Sequence, residues 1–450
     1  MLPPVRDLVT PLVLGLALLT EFAQSVSIAR SPNVDLSDVP QERDGNLDVS
    51  SLAPRATGWK YGGSQKVRGV AVGGWLVAEP FITPSLFEQT GDDRVVDEYT
   101  MGKYVSDACS RLDAHQSSYI TADDFRQIKA AGLNHVRIPI GHWAFFQTGP
   151  YCKGNQFKYL TRAVRWARNN GLHVQIDLHT SPHSQNGFDN SGRRGEAHWF
   201  NSQDYANLAK SAINTISTRF TASEYAGTVT SIELINEPLT TNGDSSQRLS
   251  FTQKYYKDAY RTVRNSKGST SKNVNVAIQD GFQDLTVWQD FESSNGYHNM
   301  ALMTHRYSIF NNYIYDSPSD RLQWACNMKS QLATSQQHLP TVVNEWTAVP
   351  NDCTKYLNGR GIGSRYDGSY SGFSRQGSCS KKTGSAKNFS SSYKAQLKAM
   401  FDTQRSVYET GDGWIYWTWK TESADEWSYQ KGLQYGWITR NLNERGSASC

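Results

Sequence analysis

Two apolar stretches of the chain end in the same dipeptide, an asparagine followed by a glutamate. The first ends at Asn236 and Glu237, and the second ends at Asn344 and Glu345. A carboxylate at the carboxyl end of an apolar strand is costly to bury unless it is hydrogen-bonded or used in a reaction. Either glutamate alone could be a strand-end cap or half of an ion pair, but two such ends indicate carboxylates that act together.

A pair of carboxylates is what hydrolysis of a glycosidic bond requires. In the retaining form of this reaction, one carboxylate attacks the anomeric carbon, while the other protonates the leaving oxygen and later activates water. The carboxyl groups then lie about 5–5.5 Å apart, a gap that opposite walls of one barrel mouth can supply. An ionised Glu345 beside Glu237 would discourage ionisation of Glu237 and keep it protonated near neutral pH.

The elements that must position these glutamates follow from the order of the apolar runs. After residue 66, strand-like runs alternate with amphipathic helical runs, which is the order of βαβ units in a parallel sheet. Eight strands are predicted, at Val67–Trp75, His135–Gly141, His173–His179, Val229–Asn236, Val274–Asp280, Met300–Tyr307, Pro340–Trp346 and Gly413–Trp419. Helices are predicted where apolar residues recur every three or four positions, notably at Ala122–Ala131, Leu160–Asn169, Ala206–Phe220, Phe251–Arg264 and Ser392–Tyr408.

Eight strands with interleaved helices predict an α/β fold, a single (β/α)8 TIM barrel with long strand-to-helix loops. The longest loops, 180–205 and 347–391, are rich in Gly, Ser, Asn and aromatic residues, and barrel active sites are built from such loops. An open doubly wound sheet would satisfy the periodicity alone. It is disfavoured because no G-x-G-x-x-G motif follows the first strand.

The composition points away from nucleic acid as a partner. The formal net charge is only +4 over 450 residues, and no run of Lys or Arg forms the concentrated patch that a polyanion needs. The chain has 13 Trp, 23 Tyr and 17 Phe, a surplus of aromatic surface that suits contact with sugar faces.

The amino-terminal region predicts export. An apolar run from Leu8 to Leu19 follows Arg6, and Ala23-Gln24-Ser25 provides small residues for cleavage, so residues 1–25 are predicted to be a signal peptide. The run is too short to span a bilayer, which needs about 20 apolar residues. Residues 26–58 are polar without periodicity and are predicted to be a pro-segment or flexible linker, followed by a catalytic domain at 59–450. We expect a secreted protein, extracellular or associated with the cell wall; a buried helix or a membrane anchor is the alternative.

The cysteines agree with an exported chain. Their number is even and they lack the close paired spacing of a zinc site, so three disulfides are expected and free buried thiols are the alternative. The six are Cys109, Cys152, Cys326, Cys353, Cys379 and Cys450. Asn388-Phe389-Ser390 is an acceptor for N-glycosylation in a secreted chain.

Longer motifs occur from about residue 60 to the end of the chain. In order, they are Arg68-Gly69-Val70, Gly73-Gly74-Trp75, Glu79-Pro80, Arg137-Ile138-Pro139-Ile140-Gly141, Asp177-Leu178-His179, Ser184-Gln185-Asn186-Gly187-Phe188-Asp189-Asn190-Ser191-Gly192, Asn236-Glu237-Pro238, His305-Arg306-Tyr307, Asn344-Glu345-Trp346 and Trp417-Thr418-Trp419-Lys420-Thr421-Glu422. Together they resemble the motifs of the fungal exo-β-1,3-glucanases of glycoside hydrolase family 5.

The resemblance implies that Glu237 is the acid/base and Glu345 the nucleophile. Five more residues would hold these carboxylates and the sugar hydroxyl next to the reacting carbon: Arg137, His179, Asn236, His305 and Tyr307. The fixed positive charge of Arg137 would favour an ionised Glu345. A purely structural salt bridge is the alternative for this arginine.

The resemblance also implies how the sugar chain is held. The terminal glucose would be bound by Glu79 and Asn190, the next glucose would lie in a clamp of Phe188 and Phe310, and a tryptophan platform would be Trp417 or Trp419. Alternation along a strand does not decide between the two tryptophans. The cysteine pairs implied are Cys326 with Cys450 and Cys353 with Cys379, which leaves Cys109 with Cys152.

The sequence departs from the family's pattern at Thr180-Ser181-Pro182-His183, where relatives usually carry smaller residues. His183 could therefore reach the glucose site. His179 and His183 do not predict a metal pair, because a four-residue spacing serves a metal only on a helix and Pro182 interrupts this segment. We expect no metal and no cofactor.

The expected activity is that of a retaining exo-β-1,3-glucanase, which releases glucose from the non-reducing ends of β-1,3-glucan through a covalent glycosyl-enzyme. Some transglycosylation is expected, as is a role in wall-glucan metabolism and a monomeric state without membrane partners. Two alternatives remain. One is an endo-acting β-glucanase of the same family, and the other is a non-catalytic wall-glucan-binding protein, which the two glutamates disfavour.

Overall fold

Eight parallel strands close into one barrel in the order of the sequence. The structure is a computed structural model that describes residues 58–444 and Cys450. The strands are β1 (Val67–Ala71), β2 (His135–Ile140), β3 (His173–Leu178), β4 (Val229–Glu233), β5 (Asn275–Gln279), β6 (Met300–Arg306), β7 (Thr341–Trp346) and β8 (Gly413–Tyr416). The single barrel and its eight strands are therefore confirmed, whereas the predicted signal peptide and nearly all of the predicted pro-segment lie outside the described residues.

Helices connect successive strands and cover the outside of the barrel. They are α1 (Pro84–Glu88), α2 (Glu98–Tyr104), α3 (Ala108–Ser118), α4 (Ala122–Ala130), α5 (Gln156–Asn169), α6 (Gln203–Phe220), α7 (Ser245–Asn265), α8 (Phe291–Ser294), α9 (Pro318–His338), α10 (Ser391–Tyr408) and α11 (Tyr429–Tyr435). The five predicted helices correspond to α4, α5, α6, α7 and α10. The start of α7 is earlier than the apolar pattern predicts, because the Asp244 side chain accepts a hydrogen bond from Gln247 N and caps the helix there.

The core explains why the strands are short apolar runs. Nearly every strand residue is buried, since one face points into the barrel and the other packs on helices. On α6 the buried stripe includes Ala209, Ala212, Ile213 and Ile216, which recur at helical spacing. Because both faces are buried, a polar strand residue is destabilising unless it has hydrogen-bond or charge partners.

Three disulfides join the six cysteines in the expected pairs, Cys109–Cys152, Cys326–Cys450 and Cys353–Cys379. The last of these pins the long loop between β7 and α10. Asn388, the predicted glycosylation acceptor, is exposed just before α10. Across residues 58–444, no helix has the length and apolar character that crossing a membrane demands.

Two strands end before the predicted catalytic motifs are complete. β4 ends at Glu233, so that Asn236 and Glu237 follow the strand, and β8 ends at Tyr416, so that Trp417 follows it. All three residues therefore lie on backbone that leaves the barrel at its carboxyl-terminal rim. This is the end of a parallel barrel at which active sites are found.

Candidate active site

Glu237 and Glu345 meet at the carboxyl-terminal rim of the barrel. One carboxylate oxygen of each, together with Nδ1 of His305, form a group whose atoms all lie within 4.8 Å of one another. Both glutamates are buried, with 7% and 4% of their surfaces exposed. The two carboxylates are thus close enough to act on one bond.

Arg137 on β2 ties together acidic groups from three other strands. Its guanidinium donates to Glu345 Oε1 at 2.5 Å, to Glu233 Oε2 at 2.8 Å and to Asn236 Oδ1 at 2.8 Å, and it lies 2.9 Å from Asp177 Oδ2. The arginine is fully buried. Although burial opposes its charge, Asp177, Glu233 and Glu345 raise the pKa of Arg137 well above its usual value, so the cation is permanent.

Of the two glutamates, Glu345 is the one that Arg137 contacts directly. Its Oε2 accepts a hydrogen bond from Tyr307 OH at 3.0 Å, while Oε1 faces Arg137. Burial raises the pKa of Glu345, and the positive charge of Arg137 acts in the opposite direction. Arg137 lowers the pKa of both glutamates against the rise caused by burial, but its direct hydrogen bond is to Glu345.

Glu237 has neutral partners instead. Its Oε1 accepts from His305 Nδ1 at 2.7 Å, and its Oε2 accepts from Asn190 Nδ2 at 3.1 Å. Burial raises the pKa of Glu237, and the hydrogen bond from Asn190 offsets part of that rise. The residue sits at φ 43°, a left-handed conformation that is uncommon outside glycine and turns the carboxylate across the rim.

His305 between the two glutamates is held in one tautomer. Its Nε2 lies 2.6 Å from the amide nitrogen of Gln279, which can only donate, so the ring proton is on Nδ1, facing Glu237. The amide orientation fits its surroundings, because the same nitrogen faces Glu233 Oε1 and Asn344 Oδ1, each at 3.5 Å. Burial lowers the pKa of His305 to about 4, which keeps the ring neutral near neutral pH.

Gln279 and Glu233 belong to the site but were not among the predicted residues. Gln279 is the last residue of β5, and Glu233 is the last residue of β4. Each is the polar end of an apolar strand, the same signal that singled out the glutamate pair. The signal is weaker here because neither residue is part of a longer motif.

His179 offers an atom to a ligand. Its Nδ1 lies 2.6 Å from Asp177 Oδ2, whereas its Nε2 is buried and finds no hydrogen-bond partner among the described residues. Burial lowers the pKa of His179 to about 4 and raises that of Asp177 to about 7. The amide nitrogen of Asn236 also lacks a partner. Buried polar atoms of this kind are costly unless a bound molecule satisfies them, and sugar hydroxyls would do so.

The predicted sugar-binding residues are spread around this pair. Glu79 is buried, accepts from Gly74 N at 3.1 Å, and has a pKa raised well above its usual value by burial and by Glu345. Phe188 is 42% exposed and meets Phe282, also exposed, edge to face at 6.5 Å between ring centroids. Phe310 packs instead against Tyr307, at 5.8 Å. Phe282 was not predicted from the sequence.

The structure distinguishes the two candidate tryptophans by position. Trp417 stacks on His179, with ring centroids 5.7 Å apart and planes 5° apart. A Cβ on Gly73 would meet its ring at 2.6 Å, so a glycine is needed there. Trp419 lies in the core instead, where its indole nitrogen donates to Asp124 Oδ1 at 2.9 Å. Only Trp417 contacts the residues around the glutamates.

The departure at 180–183 leads away from the glutamates. His183 adopts φ 63° and stacks on Tyr205 of α6 at 4.1 Å between centroids. Among the described residues, the group with metal-ligand geometry is Glu237, His305 and Glu345. Within this group His305 Nδ1 donates to Glu237 Oε1 at 2.7 Å, whereas Glu345 accepts its hydrogen bonds from Arg137 and Tyr307.

Residues 102–362 match the family model described as Cellulase (glycosyl hydrolase family 5). A protein from Blumeria graminis named glucan 1,3-beta-glucosidase is 42% identical over 406 residues, which cover 86% of this chain and 91% of the relative. A protein from Aspergillus niger named probable glucan 1,3-beta-glucosidase A is 42% identical over 373 residues, covering 82% and 86%. Among solved structures, rutinosidase from Aspergillus niger superposes with a TM-score of 0.67 at 19% identity, covering 85% of this chain and all of that one. This last likeness concerns the fold alone.

Proposed function

The chain belongs to glycosyl hydrolase family 5, and from this premise we propose that it is a retaining exo-β-1,3-glucanase that releases glucose from non-reducing ends. The observation that carries the proposal is a pair of glutamates with different neighbours. One carboxylate oxygen of Glu237 and one of Glu345 lie within 4.8 Å of each other, and Arg137 donates a hydrogen bond to Glu345. The relatives named glucan 1,3-beta-glucosidase support the choice of substrate.

In the first step, Glu345 attacks the anomeric carbon and forms an ester bond to the sugar. The bond from that carbon to the glycosidic oxygen breaks, and this oxygen takes the proton of Glu237. Arg137 and Tyr307 hold Glu345 in place for attack. The buried, raised-pKa environment of Glu237 supports its protonated form at the start of the reaction.

In the second step, Glu237 acts as the base. Once Glu345 is an ester it carries no charge, so the repulsion that helped to keep Glu237 protonated is gone and its pKa falls. The Glu237 carboxylate then takes a proton from water, the water oxygen attacks the anomeric carbon, and Glu345 leaves as a carboxylate. A sugar hydroxyl in place of water would give transglycosylation.

Exo action is proposed because two polar side chains beside the glutamate pair could bind the hydroxyls of a terminal glucose. Glu79 and Asn190 come from two different loops: Asn190 donates a hydrogen bond to Glu237, and burial and the charge of Glu345 raise the pKa of Glu79. Exposed Phe188 lies at the rim, where the next sugar would leave the pocket. We further propose that the protein is secreted and acts on wall glucan, as the sequence of its amino-terminal region predicts.

Stereochemistry and product size test the proposal together. Proton NMR during the first turnovers of a β-1,3-linked oligosaccharide should show β-glucose before the α anomer forms by mutarotation. The matched β-1,4- and β-1,6-linked oligosaccharides should be turned over far more slowly. Early α-glucose would contradict retention, and a first product longer than glucose would favour the endo-acting alternative.

A further inference from the structure

Four aromatic side chains cluster on the loops after β6 and β7, linked by ring contacts and by one arginine. We call Phe310, Tyr370, Phe373 and Tyr315 the aromatic ridge. Phe310 precedes the short turn Asn311–Tyr315 after β6 and Tyr315 ends it, and the other two belong to the long loop between β7 and α10. The ridge begins beside the glutamates, because Phe310 packs on Tyr307, the hydrogen-bond donor to Glu345.

A single arginine joins the inner three rings. The guanidinium carbon of Arg365 lies 5.7 Å from the ring centre of Phe310, 4.1 Å from that of Tyr370 and 5.2 Å from that of Phe373. Cation–π contacts of this kind fix the relative position of aromatic rings. The ridge is therefore one assembly rather than a set of separate side chains.

The outer end of the ridge is the most exposed. Tyr315 stacks on Phe373 with ring centroids 6.2 Å apart and planes 21° apart, and its hydroxyl accepts from Ser374 N at 3.3 Å. Tyr315 nevertheless has 44% of its surface exposed, and Phe373 is half-buried. A stacked aromatic pair left open to solvent at the edge of an active site offers a flat apolar surface.

The ridge is also held rigidly from below. Arg365 donates to Asn358 Oδ1 at 2.5 Å and pairs with Asp352 Oδ2 at 3.2 Å. Asp352 is fully buried and also accepts from the backbone nitrogens of Arg365 and Tyr366. The neighbouring disulfide Cys353–Cys379 ties this loop to itself. A preorganised surface binds with little loss of conformational entropy.

We propose that the aromatic ridge is an extended binding surface for the glucan chain beyond the glucose that leaves. The inference rests on the proposed function and adds where sugars farther along the chain are held. The path of the glucan chain follows from Phe310, which links the ridge to the glutamates. The ligand class follows from the aromatic rings, because the apolar faces of glucose rings pack against aromatic surfaces. The ridge selects for long chains and has no role in cleavage itself.

The test compares chain lengths. For Tyr315→Ala and Phe373→Ala, kcat/KM on a β-1,3-linked hexasaccharide should fall about tenfold relative to the wild type, the equivalent of about 1.4 kcal/mol. On the disaccharide, which ends before the outer ridge, kcat/KM should change less than twofold. Tyr315→Phe keeps the ring and should keep most of the hexasaccharide activity.

A matched control is Tyr297→Ala. Tyr297 is also half of a stacked pair, with Tyr260 at 4.0 Å, but it precedes β6 and so lies at the opposite end of the barrel. Its removal should leave the ratio of hexasaccharide to disaccharide activity unchanged. An unchanged ratio in both ridge variants would overturn the inference alone. A wild-type enzyme that cleaves neither β-1,3-linked substrate would overturn the proposed function and the inference with it.

Discussion

The two Asn-Glu ends are alike in sequence and different in structure. Glu345 lies within β7 and faces Arg137, whereas Glu237 follows β4 by four positions, in a left-handed conformation, and faces His305. The asparagines differ too. Asn344 donates to both oxygens of Glu233, while Asn236 accepts from Arg137 and has an unpartnered amide nitrogen.

The Asn-Glu dipeptide alone therefore does not determine which glutamate is the nucleophile and which is the acid. Both glutamates are buried, and burial raises the pKa of both. The proposed division between nucleophile and acid rests on the neighbours that other strands contribute: Arg137 donates to Glu345, whereas the neutral ring of His305 donates to Glu237. The following predictions test that division.

The largest effect is expected when the carboxylate beside the cation is lost. Glu345→Gln should fold normally, bind β-1,3-linked oligosaccharide, and lose at least about 10⁴-fold in kcat, because no covalent intermediate can form. Kinetics and calorimetric binding would measure both properties. Glu98→Gln is the matched control. Glu98 is also buried, and its pKa is raised to about 8, but it accepts a hydrogen bond from Ala78 N instead of lying beside Glu237. Equal turnover in Glu345→Gln would reassign the nucleophile.

A smaller effect is expected at the other glutamate. Glu237→Gln should lower kcat on a glucan oligosaccharide by about 10²–10⁴-fold, because protonation of the leaving oxygen is lost. Since burial raises the pKa of Glu237, the wild type should lose activity as the pH rises through that pKa and the acid ionises. The variant's pH profile should lack this alkaline fall. A profile that keeps it would show that another group is the acid.

The smallest effect is expected at the residue that fixes the tautomer. Gln279→Leu removes the donor to His305 Nε2, so the ring proton is no longer held on Nδ1 opposite Glu237. A fall of about tenfold in kcat/KM is expected, the value of roughly one hydrogen bond. Gln175→Leu is the matched control, because Gln175 is a buried glutamine of β3 whose amide has no partner. Equal losses in both variants would indicate a packing effect instead.

The barrel could be predicted well because its signals are local and repeated. Each strand is a short apolar run, and all eight were found within a few residues of their true ends. The carboxyl ends were overextended at β1, predicted to Trp75 but ending at Ala71, and at β4 and β8. There the apolar residues continue past Glu233 and Tyr416, but the backbone leaves the sheet, and hydropathy does not record where inter-strand hydrogen bonds stop.

The site was predicted in part for the same reason. Arg137 and His305, which belong to long motifs, contact the two glutamates in the structure, and their catalytic roles stay a prediction. Gln279 is the polar last residue of β5 and belongs to no longer motif, and its importance depends on the His305 ring, which β6 contributes. The choice between Trp417 and Trp419 likewise depended on the backbone after Tyr416, because alternation ends with the strand.

Arg137 has a consequence for how the enzyme would fail under stress. Its guanidinium spans the interior of the barrel and joins groups from β3, β4 and β7. Any partial opening of the barrel that separates these strands would break the strut and leave carboxylates without a counter-ion. Integrity of the site thus depends on β2, β3, β4 and β7 staying together, although these strands are not all neighbours in the barrel.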